Sequence, residues 1–181
     1  MIKHELHVVR FEADGRLWSE QRIMIPHEQW SPECALDAAF IERLADDYFR
    51  AMRRMTFGVF YTVQRGEVFA MRAPVVGDVL VFADKHVASD VEGARISWTV
   101  VGGAMRSRRA PEGGTISFEV VEDQSGALVT LIIRVEDYTT RLIDLFGKRL
   151  GIIVYLGTQG LSHKTLTLRF LREQAHRLAD S

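Results

Sequence analysis

Cysteine is nearly absent. Cys34 is the only one in 181 residues, so neither an intrachain disulfide nor a cysteine-based zinc site can form. An excess of one charge is also missing: 23 basic against 24 acidic side chains leave a net charge of -1. That balance argues against a chain built mainly to grip nucleic acid, which needs a phosphate-neutralising surplus. Long apolar runs are lacking as well. The longest, residues 151–157, is far too short to span a bilayer, so no membrane contact is expected. The opening Met-Ile-Lys-His-Glu-Leu-His puts charge where a signal peptide needs an apolar run, and a cytoplasmic location is the expectation. No internal repeat, low-complexity tract or splitting linker divides the chain. The 47% apolar and 26% charged residues are the mix of a globular chain. A single domain over 1–181 is expected, with sheet and central helix in 1–138 and a C-terminal extension in 139–181.

Residues 6–13 and 16–25 alternate as two strands around Asp14-Gly15, a pair suited to a type I′ turn. Ser31-Pro32-Glu33 has a capping hydroxyl, a proline at the first helical position and an acid at the positive end of the dipole. Leu36, Phe40, Leu44, Tyr48 and Met52 then recur every four residues, widened by Ile41 and Ala45, which predicts an amphipathic helix of about five turns. From Thr56 onward the pattern is that of strands. Residues 57–63 and 67–71 form one bent strand or two, followed by 78–88, 95–101, 115–122 and 127–136. Their short connectors favour an antiparallel meander, and 162–179 reads as a closing helix. The fold class predicted is α+β, an antiparallel sheet of six or seven strands wrapped around one long helix, with a C-terminal helix.

Two resemblances attach to these segments. Over 22–101 the chain resembles the hotdog-fold acyl-thioester superfamily, the 4-hydroxybenzoyl-CoA thioesterase group in particular. The stretch from Arg22 through Pro26-His27-Glu28 to Ile41 lies on that family's first strand and helix start, and Arg72-Ala-Pro-Val-Val-Gly-Asp is similar to its Pro-x-x-x-Gly-Asp hinge. The family's aspartate falls on Trp30, its glycine on Glu33, its histidine on Cys34 and its asparagine pair on Leu36 and Asp37, so the standard machinery is lost or relocated. Over 95–181 the chain looks instead like the helix-grip superfamily of polyketide cyclases and START-type lipid carriers. There Ile96-Ser-Trp-Thr, Thr115-Ile-Ser-Phe-Glu, Ala127-Leu-Val-Thr-Leu-Ile-Ile and a long final helix follow a typical order. The hotdog reading leads because its match takes in the helix and both flanks, yet it leaves about forty C-terminal residues without a role.

The candidate chemistry gathers at the start of the helix. His27 and Glu28 pair a base with an acid beside the flat wall of Trp30. Asp37, substrate-facing on the hotdog alignment, is the leading general base, its bland alternative being a complement to the helix end. Cys34 is placed where free backbone N–H groups would favour a thiolate, or is simply a small buried hydrophobe. Tyr48, Phe69 and Trp98 are expected to face inward, with Trp30 and Cys34, as the wall of a substrate cavity. Arg106, Arg108 and Arg109 with Lys85 are the most basic group, suited to coenzyme A phosphates or an acidic acyl carrier protein. His86 and His163 lack a second ligand at metal spacing, and neither metal nor cofactor is assigned.

The leading expectation is a hotdog-like thioesterase or dehydratase, acting on an acyl or polyketide thioester and working as a homodimer. The alternatives are a helix-grip polyketide cyclase or aromatase, and a non-catalytic carrier of an apolar small molecule.

Overall fold

A computed structural model describes residues 4–31, 35–110 and 113–179. Eight strands form one antiparallel sheet: β1 (His4–Phe11), β2 (Leu17–Pro26), β3 (Tyr61–Arg65), β4 (Val68–Ala73), β5 (Gly77–Ser89), β6 (Gly93–Gly102), β7 (Thr115–Glu122) and β8 (Leu128–Tyr138). Their spatial order is β1-β2-β8-β7-β6-β5-β4-β3. The last six strands are a meander, as their short connectors require. The N-terminal hairpin joins its far end, with Ile23 opposite Leu131 and Ile25 opposite Val129.

The count of eight corrects the six or seven expected. Gly66, at φ +61°, turns the chain so that Tyr61–Arg65 and Val68–Ala73 pair as a hairpin rather than running on as one bent strand. The first hairpin differs too. Strand pairing ends at Phe11 opposite Leu17, so the loop is longer than the two-residue type I′ turn. That turn needs positive φ at both central residues, whereas here Gly15 has it (+94°) and Asp14 does not. Asp14 instead accepts the backbone N–H of Arg16.

The long helix α1 (Ala38–Met55) carries the chain from β2 to the opposite edge of the sheet. It starts later than the Ser31-Pro32-Glu33 pattern predicts, and its cap is Asp37, whose carboxylate accepts the N–H of Phe40 at 2.7 Å. Pro32 and Glu33 lie outside the described residues. At the other end Phe57 takes φ +53°, so the following strand begins at Tyr61 rather than at Phe57. The apolar stripe of α1 is buried as its spacing demands: Phe40, Ile41, Leu44, Ala45, Tyr48 and Met52 all lie against the sheet or the final helix.

Residues after β8 form a roof. Two short helices, α2 (Arg141–Phe146) and α3 (Lys148–Tyr155), lead through a π-turn (Leu156–Gly160) into α4 (Leu161–Ala179). The α2–α3 packing depends on Gly151, where a Cβ would come within 2.7 Å of the Ile143 Cα and the Leu142 carbonyl. Helix α4 packs on β2 and α1, and the Phe170 and Tyr48 rings meet edge to face at 5.3 Å. The core lies between these helices and the concave face of the sheet, where Ile96, Phe118, Val120, Leu131 and Ile133 are fully buried. Each such side chain contributes roughly 1.5–3 kcal/mol through burial. No helix among the described residues is long and apolar enough to cross a membrane.

Candidate functional site

Between α1, α4 and the concave face the packing leaves a cavity of about 530 Å³. That is within the range of about 300–1,000 Å³ usual for small-molecule sites. Most of its wall is apolar: Phe49 and Met52 from α1, Met71, Leu80 and Phe82 from β4 and β5, Val100, Ile116 and Val135 from the central strands. The strand residues among them stand at positions where alternation points the side chain toward the helices.

The polar part of the wall comes mostly from one continuous stretch of helix. Tyr155, Thr158, Gln159, Ser162 and His163 run along α3, the π-turn and the start of α4, joined by Tyr48 and Tyr138 from across the cavity. The spacing is that of a helix face. A π-turn within a helix often sits at a functional site.

The three phenols differ in what they hold. The Tyr48 hydroxyl is 3.2 Å from the Thr167 hydroxyl. Tyr138 donates to the Met105 carbonyl at 2.7 Å. Tyr155 has no hydrogen bond among the described residues, and its ring meets Phe11 edge to face at 5.7 Å. Burial is the main cause that raises all three pKa values, that of Tyr48 to about 12, so each stays a protonated donor at neutral pH. His163 moves the other way. Burial, and after it the neighbouring His7, push its pKa down to about 4, which keeps the imidazole neutral. Behind it, buried Gln21 on β2 reaches Ser19 Oγ at 2.7 Å and His7 Nδ1 at 3.0 Å.

Among the described residues, the wall therefore carries no aspartate, glutamate, lysine or arginine. It offers hydrogen-bond donors and a neutral imidazole beside an apolar wall. Such a lining suits an uncharged molecule better than a charged one, which would lose its hydration without gaining a partner among the described residues.

The residues singled out in the sequence fall in several places. Tyr48 lines the cavity. His27 and Glu28 form a 3₁₀ turn after β2, and His27 lies 3.4 Å from Glu122, away from the cavity wall. Trp30 is buried against Phe40 with ring centroids 5.3 Å apart. Asp37 is held by its capping bond. Cys34 lies outside the described residues. Phe69 and Trp98 pack together at 5.5 Å and face a second, more polar groove of about 500 Å³ with Arg50, Arg53 and Lys85. Phe49 borders both spaces.

The basic group does not form one cluster. Lys85 pairs with Glu42 of α1. The arginines lie on the β6–β7 connector, which docks at Val79, six residues back along β5, through the Met105 N–H. Arg106 reaches the carbonyls of Ser107 and Ala110, and the Arg108 backbone N–H is held by Asp144. Tyr138 and Tyr155 are wall residues that the sequence did not single out. Tyr155, Gln159, Ser162, His163 and Leu166 stand at i, i+4, i+7, i+8 and i+11, one helix face.

No family model matches the chain, and none of the curated proteins does. Among solved structures it is similar to CalU16 from Micromonospora echinospora, at 13% identity over 98% of this chain and 96% of that one, with a TM-score of 0.31. The overlap is too loose to carry a conclusion, which has to come from the cavity.

Proposed function

We propose that this protein is a helix-grip-type binding protein that encloses an uncharged, mostly apolar small molecule, of the kind a polyketide cyclase or an apolar-ligand carrier holds. The observation that carries this reading is the cavity of about 530 Å³ with no charged side chain on its described wall. The chain order supports it. The strand before α1 pairs with the last strand, α1 crosses to the far edge, and about forty C-terminal residues form a roof over the concave face. A hotdog reading gives that roof no role. The thioester hydrolase reading also lacks support at the wall, where no carboxylate base stands among the described residues.

A cyclase differs from a carrier by needing groups that handle protons. Neutral His163 and the Tyr155 phenol on one helix face favour cyclase chemistry as the second reading.

The test is binding of an apolar fluorescent dye to the wild type and to Val135→Trp, which fills the cavity from β8. One-to-one binding by the wild type and at least tenfold weaker binding by the variant are expected, with the fold retained by circular dichroism. Equal binding by both proteins, or efficient turnover of acyl-CoA thioesters, would sink this reading.

A further inference from the structure

We infer that Tyr155 is the anchor of the cavity and that the ligand it selects is a neutral ketone, whose carbonyl oxygen accepts the Tyr155 hydrogen bond. This deepens the reading of the cavity as a small-molecule site and rests on it.

The inference starts from an imbalance among the three phenols on the wall. The Tyr48 and Tyr138 hydroxyls are engaged, by Thr167 and by the Met105 carbonyl. Tyr155 is 7% exposed, lines the same cavity and has no hydrogen bond among the described residues. Its hydroxyl is not among the sealed polar atoms of the core, so its O–H is open to an acceptor that enters the cavity. Tyr155 is also, with Gly151, one of two buried residues of α3, so little else on that helix fixes it inward.

The wall then narrows the acceptor. Among the described residues it holds no cation to meet a carboxylate or phosphate, so a charged ligand is disfavoured. Gln159 accepts the Thr140 hydroxyl at 3.3 Å on its side-chain oxygen, and its amide N–H groups offer a donor to the same kind of acceptor. His163, on the same wall, can donate or accept, and by itself selects neither. A ligand hydroxyl would need an acceptor as well as a donor, and would have to reach His163, Ser162 or Thr158 on the same wall to find one. A carbonyl oxygen needs only a donor, and Tyr155 is one. Sites built around such a hydrogen bond discriminate strongly against the analogue lacking the acceptor.

The test compares three molecules of one tricyclic shape: 9-fluorenone, fluorene and fluorene-9-carboxylate. Affinities are measured by equilibrium dialysis against wild type, Tyr155→Phe and Tyr138→Phe, each checked for folding by thermal melting. The wild type should bind 9-fluorenone about tenfold more tightly than fluorene, the effect of one well-made hydrogen bond, and the carboxylate most weakly. Tyr155→Phe should bind ketone and hydrocarbon alike, while Tyr138→Phe, whose hydroxyl is already engaged, should keep the preference. Equal wild-type affinities for the two neutral compounds, or a preference that survives in Tyr155→Phe, would overturn the anchor while leaving the cavity reading standing. Binding of none of the three would overturn both.

Discussion

On the concave face, strands β6, β7 and β8 offer Ile96, Phe118, Val120, Leu131 and Ile133 to the helices, and where packing stops short a neutral cavity remains. On the convex face the same strands and β2 carry a ladder of charge. The Arg134 guanidinium bridges Glu20 at 3.0 Å and Glu119 at 2.9 Å, and Arg95 reaches Glu119 and Glu136 at 3.4 and 3.2 Å. These are not ordinary surface pairs, since the Glu20 and Glu119 side chains are only 8% and 10% exposed. Three consecutive residues of β8 make the contrast: Ile133 enters the core, Arg134 joins the ladder, Val135 lines the cavity. One strand thus serves an apolar interior and a nearly buried ion network a residue apart. The difference teaches how β8 divides its faces: the buried charge stands on the side where Arg134 meets two carboxylates.

The sharpest way to break the concave side is Phe118→Ala. Phe118 is fully buried and meets the rings of Tyr48, Phe49 and Trp98 within 6.0 Å, so a loss of about 3–5 kcal/mol of unfolding free energy in urea is expected. A loss under about 1 kcal/mol would mean that the described core packing is wrong there.

The convex side is broken by Arg134→Met, which removes the bridge and leaves the nearly buried Glu20 and Glu119 with only their longer pairs, to Arg22 at 3.5 Å and to Arg95 at 3.4 Å. Destabilisation of about 3 kcal/mol is expected, far above the roughly 0–1 kcal/mol of an exposed pair. Adding Glu20→Gln and Glu119→Gln to that variant should recover most of the loss. If it recovers none, the ladder is not a coupled network.

A smaller effect tests the neutrality of the concave side. Because the folded pKa of His163 lies near 4, below its unfolded value near 6.5, the unfolded chain binds the proton first as pH falls. Its contribution is fully present above about pH 6.5 and is lost between there and about pH 4. It amounts to about 2 kcal/mol after allowing for the partial exposure of the ring. His7, lowered chiefly by its own burial, adds in the same direction. His163→Gln should flatten this part of the stability curve measured by urea titration at several pH values. An unchanged slope would place the titrating group elsewhere.

Local pattern made much of the fold legible. The four-residue recurrence of Phe40, Leu44, Tyr48 and Met52 fixed α1, and Glu92-Gly93 and Asp123 to Gly126 marked real turns between strands. Errors fell where one residue's conformation decides the outcome. Asp37 rather than Ser31 capped the helix, and Phe57, at φ +53°, delayed the next strand to Tyr61, while Gly66 settled the open choice between one bent strand and two. The site was far less legible. His27, Glu28 and Asp37 drew attention because they stand close together in sequence at a helix start, whereas the cavity wall is assembled from residues as distant as Tyr48, Met105, Tyr138 and His163. Nothing in the local pattern around Tyr155 distinguishes a phenol that faces a cavity from one that packs in a core.

By itself the sequence determined the α+β class, the long amphipathic helix, the run of antiparallel strands and the near balance of charge. Each follows from local periodicity, turn chemistry or composition, which act over a few residues or a simple sum. Only the tertiary structure decided that the last forty residues close over the sheet, that the cavity wall is uncharged, and that Arg134 sits between two carboxylates. Those outcomes depend on which distant side chains meet across the sheet, and strand order and register, not local preference, set that.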